Sequence, residues 1–344
     1  PVVISEIMYH PAEVIAGSSP FNNTEDEFIE LRNYGASPAP LYDSAYPTNT
    51  WRLRDAVSFD FPASVTLPAG GALLVVGFDP ALYPDRLAGF RARNLVPAAT
   101  PVYGPWQGHL DNQSGRVELS RPRVPESNGE VNYVLVERVS YQDAAPWPVA
   151  ADGLGLSLQR IVETAYGNDP TNWVAAASSA GARYIAGAPP VLTSQPGDRI
   201  VFVGDNVQLT ASATGAAPLR YQWSFQGLNL PGATNSTLWL TDIQGAQSGV
   251  YNILVYNRGG YALGTNFTLD ARVQLRITKQ PQDAVAVAAS GTNFSVQAIG
   301  TGALRYQWQK DSTNIPNATN YLLPLSNIQV ANEGTYRVIV SDDV

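Results

Sequence analysis

An internal repeat constrains this chain more than any other feature. Leu219-Arg220-Tyr221-Gln222-Trp223 recurs 85 residues later as Leu304-Arg305-Tyr306-Gln307-Trp308. The same offset carries Gln195-Pro196 onto Gln280-Pro281, Pro231-Gly232-Ala233-Thr234-Asn235 onto Pro316-Asn317-Ala318-Thr319-Asn320, and Gly249-Val250-Tyr251 onto Gly334-Thr335-Tyr336. Anchors held at one offset without gaps mean that two copies of a structural unit follow each other. Each copy alternates as strands do. Val207, Leu209 and Ala211 share one face, with Gln208 and Thr210 opposite. Phe294, Val296 and Ala298 are read as their counterparts. Leu238, Leu240 and Ile243 make a second apolar face, matched by Leu323, Leu325 and Ile328.

This spacing resembles the immunoglobulin fold. Trp223 and Trp308 stand where that fold buries a tryptophan, and Tyr251 and Tyr336 where its tyrosine corner ties a hydroxyl to nearby backbone. The family's paired cysteines are missing. The resemblance puts Ala211 with Ile253, and Ala298 with Val338, in their places. It implies two sandwiches, over 191–272 and 275–344. The second copy runs out at Asp342-Asp343-Val344, just after the strand that contains Tyr336. A sandwich of this type has a further strand there. The favoured expectation is continuation in a longer protein; the other is a strand supplied by a second molecule at the sheet edge.

Residues 1–187 also read as strands, among them Glu27–Leu31, Ala72–Val76, Arg116–Leu119 and Tyr133–Val136, parted by turns such as Ala69-Gly70-Gly71. No long segment of 3.6-residue period is evident. The motifs run in the order Ile4–Pro11, Glu27–Asn33, Trp51–Asp55, Leu67–Gly71, Leu110–Asn112, Pro146–Pro148, Asp152-Gly153, Ser157–Arg160 and Asp169–Trp173. That order resembles the lamin tail domain in its prokaryotic exported form, which implies a sandwich with a binding or scaffolding role. Ala186–Pro190 reads as a short stiff linker. The expected fold class is all-β, three tandem immunoglobulin-like sandwiches in an extended rod.

Composition sets the function classes. The chain has no Cys, so disulfides, thiol catalysis and thiolate metal sites are excluded. Its net charge is −8, with 12 basic and 20 acidic residues before position 190 and nine of each after it. Nucleic-acid binders need basic surface, so no nucleic-acid partner is expected. No apolar run reaches 18 residues, so no membrane span is expected.

No catalytic constellation is legible. There are two histidines, His10 and His109, no Gly-x-Ser-x-Gly elbow and no phosphate loop. Glu25, Asp26, Glu27 and Glu30 form the densest acidic cluster. It reads first as a solvated loop and strand edge; the sharper alternative is a Ca²⁺ site, because hard oxygen ligands suit that ion. No other cofactor is expected. Trp239 falls between two core leucines and so points outward, while Trp106 lies in a loop; both are candidates for surface contact. The expectation is a non-catalytic structural or adhesive module of a secreted or cell-surface bacterial protein. Its partners would be proteins, surface glycans or further copies joined at a sheet edge. The alternative is an accessory carbohydrate-binding or spacer region of a secreted hydrolase.

Overall fold

The computed structural model describes residues 1–16 and 19–343. Strands predominate, as the alternation predicts. Packing divides the chain across the first repeat. One compact unit holds Pro1–Gln195, Thr210–Thr237 and Asn252–Asn266; the other holds Pro196–Leu209, Leu238–Tyr251 and Phe267–Val344.

In the first unit, residues 1–187 build two main sheets, with two small two-stranded ribbons beside them. The larger has the order Val102–Tyr103, Ala72–Val76, Phe28–Asn33, Val2–Met8, Ser157–Arg160, Trp173–Ala176. The smaller runs Gln107–Gly108, Val57–Asp60, Arg52–Asp55, Ser114–Pro122, Tyr133–Gln142. Ile4, Ile7, Ile29, Leu31 and Val75 from the larger pack against Leu53, Val117, Leu119 and Val139 from the smaller. Two facing sheets each bury one face in this way, and the apolar surface they remove from water is the main stabilising term.

The outer face of the larger sheet is covered as well, so every residue of Val2–Met8 and Phe28–Asn33 is buried. Met8, Phe28, Leu74 and Val76 lie under a helix, Pro84–Asn94, which sets Phe90 and Leu87 on them. This helix is too short to contradict the absence of a long segment of 3.6-residue period. It is three turns long and touches the core through few side chains, so no sustained period marks it. Its punctuation is legible: Pro84 opens the first turn, where a missing N–H costs nothing, and Arg91 and Arg93 lie in the last turn at the negative end of the helix dipole.

The linker is not a free spacer. Asn257 donates to the carbonyls of Ala188 and Ala216 at 2.9 and 2.8 Å, and Ala177 N–H donates to Asn257 O. Tyr256 and Tyr261 pack against the main core of residues 1–187. Gly259 lies so close to this segment that an added Cβ would stand 2.3 Å from Gly187 O.

In the first repeat, one sheet has the order Arg199–Phe202, Phe267–Arg272, Gly249–Asn257, Arg220–Phe225, Leu228–Asn229, and Val207–Thr210 pairs with Thr237–Leu240 elsewhere. In the second repeat the corresponding order among the described residues is Arg305–Lys310 between Thr313–Asn314 and Tyr336–Ser341, with Thr292–Ser295 on Leu322–Leu325. Trp223 and Trp308 are fully buried, and their indole N–H groups donate to Asn235 O and Asn320 O, both at 2.9 Å. Tyr251 donates to Gln247 O at 2.9 Å and Tyr336 to Asn332 O at 2.8 Å. One pairing of the sequence reading needs correction. Val296, not Ala298, takes the fully buried place that Ala211 holds in the first repeat. Ala298 lies in the next strand, opposite Ile277 and half-buried, because the offset of 85 maps Ala211 onto Val296.

Candidate functional site

The acidic cluster around residue 25 is not one site; the structure deals its carboxylates to four separate tasks. Glu25 forms a two-pronged ion pair with Arg86 on the helix, at 2.8 and 2.5 Å. Asp26 accepts from Arg93 at 2.8 Å and from Asn23 at 2.9 Å, pinning the turn Thr24–Asp26 to the end of that helix. Glu27 and Glu30 are buried, not solvated. The reading as a solvated loop and strand edge fails for these two: the helix and the segment after Ala176 roof the face that carries Glu30, and Glu27 lies beside Leu110 and Tyr141 of the main core. Among the described residues, no three His, Cys, Asp or Glu side chains converge as a metal-holding group.

The buried acids form a network that the sequence reading missed in part. Glu30 accepts from Ser5 Oγ at 2.6 Å, Arg32 at 2.9 Å and Gly181 N–H at 2.6 Å. Its neighbour Glu6 accepts from Ser157 Oγ at 2.6 Å and from Ser179 N–H and Oγ at 3.2 and 3.1 Å. Gln159 closes the circuit, donating to Ser157 at 2.7 Å and accepting from Ser179 at 2.6 Å. Burial raises the pKa of both acids. The Glu30 charge raises Glu6 further, while Arg32 and the serine and backbone donors pull back. Glu27 is raised to about 8 by burial, opposed by a backbone bond from Leu110. The signal for Glu6 was present: Ser5-Glu6 interrupts an otherwise apolar strand, where polar groups are tolerated only if bonded.

This arrangement fastens elements. The network joins Val2–Met8, Phe28–Asn33, Ser157–Arg160 and residues 177–181. Of four surface clefts of about 430 to 500 Å³, one touches this network through Ala177 and Ser178, and the other three are lined by other residues. His10 pairs through Nδ1 with Asp152, and Gly153 N–H donates to His10 O at 3.1 Å, so the imidazole ties the opening strand to a distant turn.

The two surface tryptophans part company. Trp239 is 60% exposed on the strand Thr237–Leu240, beside exposed Gln208 and Thr210 on the paired strand. Trp106 is buried, which corrects its reading as a loop contact. Its loop follows Val102–Tyr103, which pairs with Ala72–Val76, and Trp106 N–H donates to Val76 O at 3.2 Å. That fastening turns the indole into the main core.

Residues 189–257 match the family model of the immunoglobulin domain. The chain is similar to the mucosa-associated lymphoid tissue lymphoma translocation protein 1 homolog of Mus musculus, 25% identical over 175 residues, or 45% of this chain and 21% of that protein. It is also similar to the peroxidasin homolog of Homo sapiens, 24% identical over 164 residues, or 43% of this chain and 11% of that protein. The chain therefore spans about a fifth and a ninth of these two relatives. A titin structure of domains I67–I69 aligns over 100% of this chain and 94% of its own length, at 10% identity and TM-score 0.39. Extracellular domains 3–5 of Drosophila OTK align over 89% of this chain and 87% of theirs, at 14% identity and TM-score 0.36.

Proposed function

We propose that this chain is a non-catalytic structural or adhesive module of a larger secreted or cell-surface protein, with a lamin-tail-like first domain of bacterial type. The observation that carries the proposal is the placement of Trp239. A large aromatic ring stands in water on a strand whose leucines face inward, where the second repeat carries Pro324. An exposed indole gives up little and gains much on docking, which is why tryptophan concentrates at protein contact sites. The buried acids support the reading, since Glu6 and Glu30 are spent on holding strands together. Val207–Thr210 and Thr237–Leu240, the strand pair that carries Trp239, hold no other aromatic residue, which favours a protein contact over a sugar platform.

The test is adhesion. Beads carrying the chain are flowed over surfaces coated with the same chain, with fibrous proteins and with a glycan array. Retention on a protein surface that drops at least tenfold in a Trp239→Ala chain of unchanged melting temperature is the expected result. Retention on glycans alone, or equal retention of both chains, contradicts the proposal.

A further inference from the structure

The first repeat presents an open sheet edge at a place where the second repeat carries a guard. Thr237–Leu240 pairs with Val207–Thr210 on one side, and among the described residues no strand pairs with it on the other. Leu322–Leu325 has the same place in the second repeat, paired with Thr292–Ser295. There Pro324 stands opposite Asn293, and the offset of 85 puts Trp239 opposite Gln208.

Backbone polarity decides what each edge offers. Ala211 N–H donates to Ser236 O at 2.9 Å, and its equivalent Val296 N–H to Tyr321 O at 3.1 Å. Along an antiparallel strand, successive residues turn their N–H and C=O to opposite sides. Ser236, Leu238 and Leu240 therefore spend theirs on the paired strand, and Thr237 and Trp239 direct theirs to the open side. The second repeat agrees, because Pro324, which has no N–H to give, falls at an outward position. Proline and charged side chains are the usual guards against edge pairing. The first repeat has neither here: no charged residue occurs from Tyr221 to Thr241, and Val207–Thr210 is uncharged too. In place of a guard stands Trp239, 60% exposed.

We infer that this edge pairs with the same edge of a second copy of the chain, antiparallel about Leu238, so that Thr237 of each copy lies opposite Trp239 of the other. Identical strands paired in this way are self-complementary, each outward N–H meeting an outward C=O. Centring on Leu238 satisfies both outward residues within the strand and sets the two indoles diagonally, within aromatic reach. Charge favours a copy as the partner. Residues 191–344 hold nine basic and nine acidic side chains, so the −8 of the chain resides before position 190 and does not oppose the approach of two such edges. The strand is short, and the Trp239 rings supply the apolar burial that its few main-chain bonds do not. This names the partner of the contact proposed at Trp239 and rests on that reading.

Sedimentation equilibrium of the full chain should show a monomer–dimer equilibrium. Trp239→Ala removes the ring and keeps the N–H. Trp239→Pro removes both, and Pro324 shows that the paired strand accepts proline there. The dimer Kd should rise at least tenfold for Ala and further for Pro, with the melting temperature of the dilute monomer unchanged. Amide hydrogen exchange of the wild type, compared between dilute and concentrated samples, should slow at Thr237 and Trp239 and stay constant at Leu238 and Leu240, whose N–H groups are already paired. That pattern needs no variant, so it decides the matter where Trp239→Pro fails to fold. A dimer without the alternation overturns the inference, as does equal weakening by Ala and Pro. A chain that stays monomeric at every concentration also overturns it; beads of that chain that still need Trp239 to hold another protein leave the adhesive reading standing alone.

Discussion

Replacing Glu27 with Gln should change how stability depends on pH, and the sign follows from the structure. Burial raises the Glu27 carboxyl from 4.5 to about 8. Between those values the folded chain keeps a proton that the unfolded chain has released. Folding is therefore penalised progressively as pH rises, by up to about 1.4 kcal/mol per pH unit for a single proton. The penalty is absent below the unfolded pKa and complete above the folded one, where it is on the order of 3–5 kcal/mol. Gln keeps the shape and cannot ionise. Its amide inherits a poorly bonded position, since Glu27 Oε1 has no hydrogen-bond partner. That adds a cost of about 1–3 kcal/mol, the same at every pH. Glu6 and Glu30 are present in both chains and cancel. Urea unfolding at pH 5, 6, 7 and 8, followed by tryptophan fluorescence, reads the transition that the substitution shifts. The variant should be the weaker protein at pH 5 and gain steadily on the wild type toward pH 8. Parallel curves for the two chains would refute the reasoning.

Three further outcomes follow from packing. Phe267 is buried and stacks on Tyr251 with ring centroids 5.9 Å apart, so Phe267→Ala should cost about 3–5 kcal/mol, as loss of a buried ring does, and broaden the Tyr251 ring resonances; a loss below about 1 kcal/mol in urea titration contradicts that packing. Gly115 lies opposite Tyr141, and an added Cβ would stand 2.3 Å from the Tyr141 hydroxyl. Gly115→Ala should therefore unstack Tyr141 from Tyr9 and lower the melting temperature by several degrees, whereas an unchanged calorimetric trace refutes the clash. Trp239→Ala should change stability by no more than about 0.5 kcal/mol; a larger loss in thermal melts would mean that the ring is packed.

The sandwich plan was legible because it rests on periodicity and on recurrence. Trp223, Trp308 and both tyrosine corners sit where the 85-residue offset placed them, and the period-2 faces of Val207, Leu209 and Ala211 face inward. What escaped the sequence was coverage. A strand of period 2 normally shows one wet face, yet Phe28–Asn33 is buried on both because a short helix and a returning segment roof it. Nothing within Glu27–Glu30 announces that roof, since its parts lie at 84–94 and 177–181. Trp106 was misread for a similar reason: a loop position says little when the strand before it is fixed to Ala72–Val76. Ala298 shares the small apolar character of Ala211, yet the offset of 85 carries Ala211 onto the buried Val296.

The account rests on the 85-residue repeat building two copies of one core around Trp223 and Trp308, both fully buried. Hydrogen exchange at the indole N–H groups of the intact chain tests it most directly, since these donate to Asn235 O and Asn320 O at 2.9 Å. Both indole protons should exchange far more slowly than that of the exposed Trp239. Exchange of either one at the rate of Trp239 would contradict the account.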